Sequence, residues 1–326
     1  MSAATPVPLV DFERVARARE MLRGIVPVSR LVEAASLSEA SGARVFLKLE
    51  SEGPTGSFKV RGAYHALQRR LEQGAVPGIV TSSTGNHGAA VAFAARRLGL
   101  PCRVFLPKNP NPAKRARIAR EGAEIVEAGE YLEASREHAA GFARASGWFN
   151  VVDGIEPELL PGTATIGCEI IEQVPDVDVI YVPVGDTTLV RGLAFAAKKL
   201  RPGVRVVGVQ AERAPAYVLS FEQGRAVSTE ASDTIADGLA VREALEENVR
   251  QVAALVDEMR LVSDGEMLAA IRHLQLEEHV VAEPAGAATT AALLKIGGTE
   301  AGKNVALLVS GANISADLLR LAIGAE

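Results

Sequence analysis

Short apolar runs rich in Val, Ile and Leu alternate with helix-patterned segments along most of this chain. Residues 45–50 read as a strand and 60–73 as the helix after it. Strands at 78–81, 102–106 and 124–126 alternate with helices at 86–98, 112–121 and 131–145. A helix at 163–174 precedes a strand at 179–184, a helix at 189–200 and a strand at 204–210. The rest reads as a strand at 260–262, a helix at 264–278 capped by Asp264, and a strand at 304–309. A further helix, 11–22, opens the chain. Parallel strands need long crossovers, which helices fill, so this order predicts an α/β protein with parallel sheets wrapped by helices.

Composition narrows the function. With 326 residues and 48% hydrophobic content the chain buries a large core of one or two domains. A formal charge of −5 and the lack of a basic, aromatic-interleaved stripe argue against nucleic acid as a partner. The run Lys114-Arg115-Ala116-Arg117 reads as a solvated helix face. No apolar run approaches the roughly 18 residues that span a bilayer. The first residues lack the basic start and apolar core of a signal peptide, so a cytoplasmic protein is expected. Cys102 and Cys168 show no metal-type spacing and read as buried thiols.

One lysine stands out. Pro54-Thr55-Gly56-Ser57-Phe58-Lys59-Val60-Arg61-Gly62 turns sharply between a strand and a helix, placing Lys59 at the corner beside Phe58. A lysine held there can lose its proton and condense with a carbonyl. Two strand–loop–helix junctions offer anion sites at helix N-termini. Ser82-Ser83-Thr84-Gly85-Asn86-His87-Gly88 suits a carboxylate, and Gly185-Asp186-Thr187-Thr188-Leu189 suits a phosphate.

These segments, with Thr234-Ile235-Ala236-Asp237-Gly238, Glu283-Pro284-Ala285-Gly286 and Ser310-Gly311-Ala312-Asn313, resemble the fold-type II pyridoxal-phosphate (PLP) enzymes in order and over nearly the whole chain. The likeness is greatest to serine/threonine dehydratases and serine racemase. It implies the tryptophan synthase β-like fold with PLP between two domains. The small domain would span 78–152, and the large one would combine 1–77 and 153–326. It also implies an amino-acid substrate, a homodimer and no appended regulatory domain.

Residue by residue, the resemblance makes Lys59 the cofactor-bearing base, with Phe58 and Glu283 beside the ring. Asn86 would bond the cofactor's phenolic oxygen. Ser82, Ser83, Thr84, His87 and Gly238 would line the substrate site. Ser310 would face the pyridine nitrogen, where a hydroxyl leaves that nitrogen neutral and favours β-elimination over long-lived carbanion chemistry. The phosphate would rest on Gly185, Asp186, Thr187, Thr188 and Leu189. Related enzymes carry a run of glycines there. The Asp186 carboxylate is therefore expected to turn away, capping the next helix or pairing with Arg191. Gln210, Ala214 and Ala216 stand where relatives hold a structural cation, so no metal is expected. The leading activity is an ammonia-lyase acting on a β-hydroxy amino acid of the serine, threonine or hydroxyaspartate type. A racemase, or a β/γ-replacement enzyme similar to cysteine or threonine synthase, is the alternative.

Overall fold

The computed structural model describes residues 10–83, 85–110 and 112–324. Ten strands occur among them: β1 (Leu31–Glu33), β2 (Arg44–Leu49), β3 (Ile79–Ser82), β4 (Cys102–Leu106), β5 (Glu124–Glu127), β6 (Phe149–Asn150), β7 (Val179–Pro183), β8 (Arg205–Ala211), β9 (Glu258–Val262) and β10 (Asn304–Val309). They form a six-stranded sheet in the order β1-β2-β10-β7-β8-β9 and a four-stranded sheet in the order β5-β4-β3-β6. All pairings are parallel except β1 with β2, an antiparallel edge without a signature in the sequence.

Period-two alternation divides the large sheet's two faces. Val45, Leu47, Leu49, Val305, Leu307 and Val309 enter one core, against the helices Asp264–Leu276 and Pro284–Ile296. Phe46, Ala306 and Leu308 enter the other, against Leu159–Gln173 and Thr188–Leu200. Strands covered on both faces are continuously apolar, which makes them conspicuous in the sequence. β2, β10 and β7 are adjacent and parallel, so the chain leaves all three on the same edge of the sheet.

The Lys59–Glu72 helix belongs to both halves. Val60, Ala63 and Leu67 join the core of the small sheet with Ile79, Val91 and Val104. Its other flank crosses the Leu159–Gln173 helix so closely that a Cβ on Gly62 would lie 2.8 Å from the Leu159 carbonyl oxygen. Only glycine permits that approach.

One helix start and one helix cap differ markedly from expectation. The helix expected at 163–174 begins at Leu159, because Pro161 sits in its first turn where no backbone donor is required. Asp264 is not a cap. Ser263 caps that helix, its hydroxyl accepting from Glu266 N while the Glu266 carboxylate accepts from Ser263 N. The helices Ala35–Ser41, Ala216–Gln223, Glu246–Leu255, Pro284–Ile296 and Ala316–Gly324 are additional to the expected set, Pro284–Ile296 because it is buried nearly all round and shows no amphipathic stripe.

Beneath the Lys59 corner lies a buried ionic network. Arg61 donates to Glu50 through Nε and Nη2, each at 2.8 Å, and to Glu169 Oε1 at 2.6 Å. Lys48 Nζ meets Glu169 Oε2 at 2.6 Å, Ser29 O at 2.8 Å and Gln173 Oε1 at 2.9 Å. Burial favours the neutral arginine, yet the two carboxylates outweigh it and hold Arg61 above its ordinary pKa. Replacing Arg61 by Ala leaves buried Glu50 without a cation and Glu169 with Lys48 alone, and should cost about 3–5 kcal/mol. Urea denaturation of Arg61→Ala measures this, and a loss below about 1 kcal/mol would contradict it.

Candidate active site

Five strand ends supply the site. Lys59 follows β2, Ser310 follows β10, and the 185–188 loop follows β7. The Ser83–His87 loop follows β3, and Asp153 follows β6. In open parallel sheets the crevice beyond the carboxyl ends of the strands is where ligands bind.

Lys59 opens its helix with Phe58 at the cap, and its Nζ lies 4.9 Å from the centre of the Phe58 ring. The ammonium pairs with Asp153 Oδ2. Asp153 Oδ1 accepts from Thr188 Oγ1 at 3.2 Å and from Gly154 N at 3.1 Å. Burial would push this carboxyl up, but Lys59, His87 and the hydrogen bonds hold it well below the usual carboxylate range. Sequence reasoning missed Asp153, because the strand before it has two residues and no apolar run.

His87 is buried, with Nε2 3.1 Å from Val151 O and Nδ1 3.9 Å from Asp153 Oδ2. A carbonyl only accepts, so Nε2 carries the proton and Nδ1 faces Asp153. Burial, aided by Lys59 and Arg136, keeps the ring neutral by lowering its pKa. Ser83 Oγ accepts from Gly85 N at 3.3 Å, and Ser82 Oγ is buried without a partner among the described residues. Thr84 lies outside the described residues.

Asn86 is clamped. Its Nδ2 donates to Glu283 Oε1 at 2.6 Å, and its Oδ1 accepts from Asn313 Nδ2 at 2.6 Å. One amide hydrogen remains for a ligand. Burial pushes the Glu283 carboxyl up to about 7 despite the Asn86 bond and the field of Arg117. Ser310 offers a hydroxyl with no hydrogen bond among the described residues, while its carbonyl accepts from Phe58 N at 3.0 Å.

The 185–188 loop is tight. A Cβ on Gly185 would overlap the Gly238 carbonyl oxygen, and Thr187 holds φ at +68°, a left-handed turn unusual for a threonine. The amides of Gly185, Asp186 and Thr187 make no hydrogen bond among the described residues, and a 13-residue helix starts behind them. Leu189 is buried in the core beneath. The two threonine hydroxyls are already used: Thr187 Oγ1 donates to Asp186 O at 2.6 Å, and Thr188 Oγ1 to Asp153. Backbone amides are thus the donors left for an anion.

The expectation for Asp186 is corrected. It neither caps the helix nor pairs with Arg191, whose guanidinium instead reaches Gln251 Oε1 at 2.6 Å and Gly154 O at 3.2 Å. Thr187 occupies the cap position, so the carboxylate has no helix amide to accept from. Burial and the neighbouring Asp153 push Asp186 up to about 6, against the fields of Lys59, Arg136 and Arg191. The basic run is corrected in part: Arg115 is exposed as expected, but Lys114 pairs with Asp237 across the cleft. Gln210 Oε1 caps a helix, accepting from Tyr217 N at 3.1 Å and Val218 N at 3.0 Å.

PLP fits this geometry. Free amides at a helix N-terminus suit its phosphate, the bare Ser310 hydroxyl suits a neutral ring nitrogen, and Lys59 suits its carbonyl carbon. The model of the pyridoxal-phosphate dependent enzymes matches residues 23–311. The L-threonine ammonia-lyase of Thermotoga maritima is 35% identical over 311 residues, 95% of this chain and 77% of that one. Maize serine racemase superposes with a TM-score of 0.91 at 26% identity, covering 97% of both chains. The processed form of threonine deaminase isoform 2 from Solanum lycopersicum gives 0.89 at 27% identity, covering 99% of this chain and 89% of that one. The chain belongs to the pyridoxal-phosphate dependent enzymes. Within that family it is a lyase.

Asp186 gives a pH test. Its folded pKa of about 6 lies above the ordinary 3.8, so its penalty is absent below pH ~4 and grows as pH rises through ~6. Asp186→Asn should therefore stabilise the protein above pH 7, by up to about 3 kcal/mol, and change little near pH 4. Urea denaturation across this range checks it, and equal stabilisation at both ends would refute it.

Proposed function

We propose that this enzyme is a β-eliminating ammonia-lyase that converts a β-hydroxy amino acid to a 2-oxo acid and ammonia. The observation that carries it is the arrangement of Lys59, a bare Ser310 hydroxyl and an amide-lined loop at three adjacent parallel strand ends. When bound, PLP supplies an electron sink for the charge left at Cα.

The chain's own residues do the rest. The Lys59 amine takes the Cα proton, and Asp153 then holds the resulting ammonium in place. Asn86, fixed from both sides by Glu283 and Asn313, would hold the cofactor through its remaining amide hydrogen. The amides of Asn86 and His87, at the start of the Asn86–Arg97 helix, bind the substrate carboxylate. Ser310 offers its hydroxyl without adding positive charge. Loss of the Cα proton and of the β-hydroxyl, which takes up a proton and departs as water, leaves an unsaturated amine that a second water converts to the oxo acid with release of ammonia.

Likeness to maize serine racemase keeps racemisation as the second reading. A panel of L- and D-β-hydroxy amino acids, followed for oxo-acid release and enantiomer inversion together, separates the two. We also place the small domain at 78–152 and the large at 1–77 with 153–326, and propose a cytoplasmic homodimer. Two free buried cysteines are consistent with a reducing compartment, and no described helix is long and apolar enough to cross a membrane.

Lys59→Ala should abolish turnover and the visible absorbance of lysine-bound cofactor, while PLP still associates through its phosphate. Retention of both signals would remove Lys59 from the chemistry. With Gln210 capping a helix, exhaustive EDTA treatment should leave kcat and the thermal midpoint unchanged. A drop restored by a divalent cation would reveal a metal site.

A further inference from the structure

A cleft of about 130 Å³ runs between the Pro112–Arg120 helix of the small half and, in the large half, residues 237–238, 283–285 and 313–315. Asn86, Gly238 and Glu283 form part of its wall, so it opens onto the site already described. Its charged side chains are matched with one exception. Lys114 pairs with Asp237, and Glu283 accepts from Asn86. Arg117 is half-buried and makes no hydrogen bond or ion pair among the described residues. Arg115 on the same helix, by contrast, is exposed and bonded to Glu127 at 3.0 Å.

A half-buried guanidinium without a partner is costly. Burial lowers the Arg117 pKa, and the nearby Glu283 carboxylate offsets this in part without bonding to it. An arginine left bare in a substrate cleft has its partner delivered by the ligand. Its planar fork matches a carboxylate in two parallel hydrogen bonds, which neither a methyl group nor a hydrogen at the substrate's far end could use.

We propose that Arg117 is a specificity residue that binds a second carboxylate at the far end of the substrate. The preferred substrate is then an acidic β-hydroxy amino acid, with 3-hydroxyaspartate its smallest member, in place of threonine or serine. This rests on the ammonia-lyase reading above.

The experiment compares kcat/KM of holoenzyme for the stereoisomers of 3-hydroxyaspartate with those of threonine and serine, in wild type, Arg117→Ala and Arg117→Gln. Wild type should favour the acidic substrate. Each variant should lower the ratio of acidic to neutral kcat/KM by roughly 10–100-fold, chiefly through KM, the scale of a charged hydrogen-bond pair. Succinate should bind wild-type holoenzyme more tightly than butyrate by calorimetry, and the variants should erase that difference. A ratio that stays constant, with succinate and butyrate binding alike in wild type, overturns the proposal. Arg117→Gln keeps most of the side chain's bulk, so an altered ratio in Arg117→Ala alone would reflect lost packing and also overturns it. Wild type inactive on every β-hydroxy amino acid, with lysine-bound cofactor intact, would instead defeat the lyase reading.

Discussion

The catalytic corner depends on the buried bridge from Arg61 to Glu50 and Glu169, with Lys48 closing the other side of Glu169. Two cations and two anions are removed from water together, and nearly every polar atom among them is bonded. Such a network adds little net stability over an apolar core, but it tolerates few alternative arrangements. It ties β2, the turn after it, the Lys59 helix and the Leu159–Gln173 helix into one register. Arg61 lies two residues beyond Lys59, so the amine inherits that register without giving up its own freedom.

The fold was legible because parallel strands covered on both faces are unbroken apolar runs, and the helices between them carry clear ends. Val179–Pro183 and Asn304–Val309 could hardly be anything else. Elements without such a signature were lost: the two-residue β6, the edge strand β1 and the evenly buried Pro284–Ile296 helix. The site divides the same way. Lys59, Asn86, Glu283 and Ser310 stand in recognisable neighbourhoods and meet in space. Asp153 and Arg117 do not, because pairing and the lack of it are three-dimensional properties. Lys114 and Arg117 looked like part of a solvated face only while the other wall of the cleft was unknown.

The 185–188 loop departs furthest from what its surroundings suggest. A left-handed Thr187 and a carboxylate at Asp186 replace residues that would cost nothing there. Thr163 Oγ1 donates to Thr188 O at 3.0 Å and Thr188 in turn bonds Asp153, so the departures support one another. The excess negative charge is met by Lys59, Arg136 and Arg191 around it. A single substitution toward glycine would therefore disturb several partners at once.

The Lys114–Asp237 pair joins the two walls of the cleft through side chains that still touch solvent, Asp237 being 66% exposed. Such a contact is weak and lies within reach of mobile ions, whose screening length is about 8 Å at physiological salt. The interior ion pairs, sealed from water, do not feel that atmosphere. The tie between the two walls at the mouth of the cleft thus slackens as salt rises, whereas the Arg61 network beneath the Lys59 corner keeps its hold.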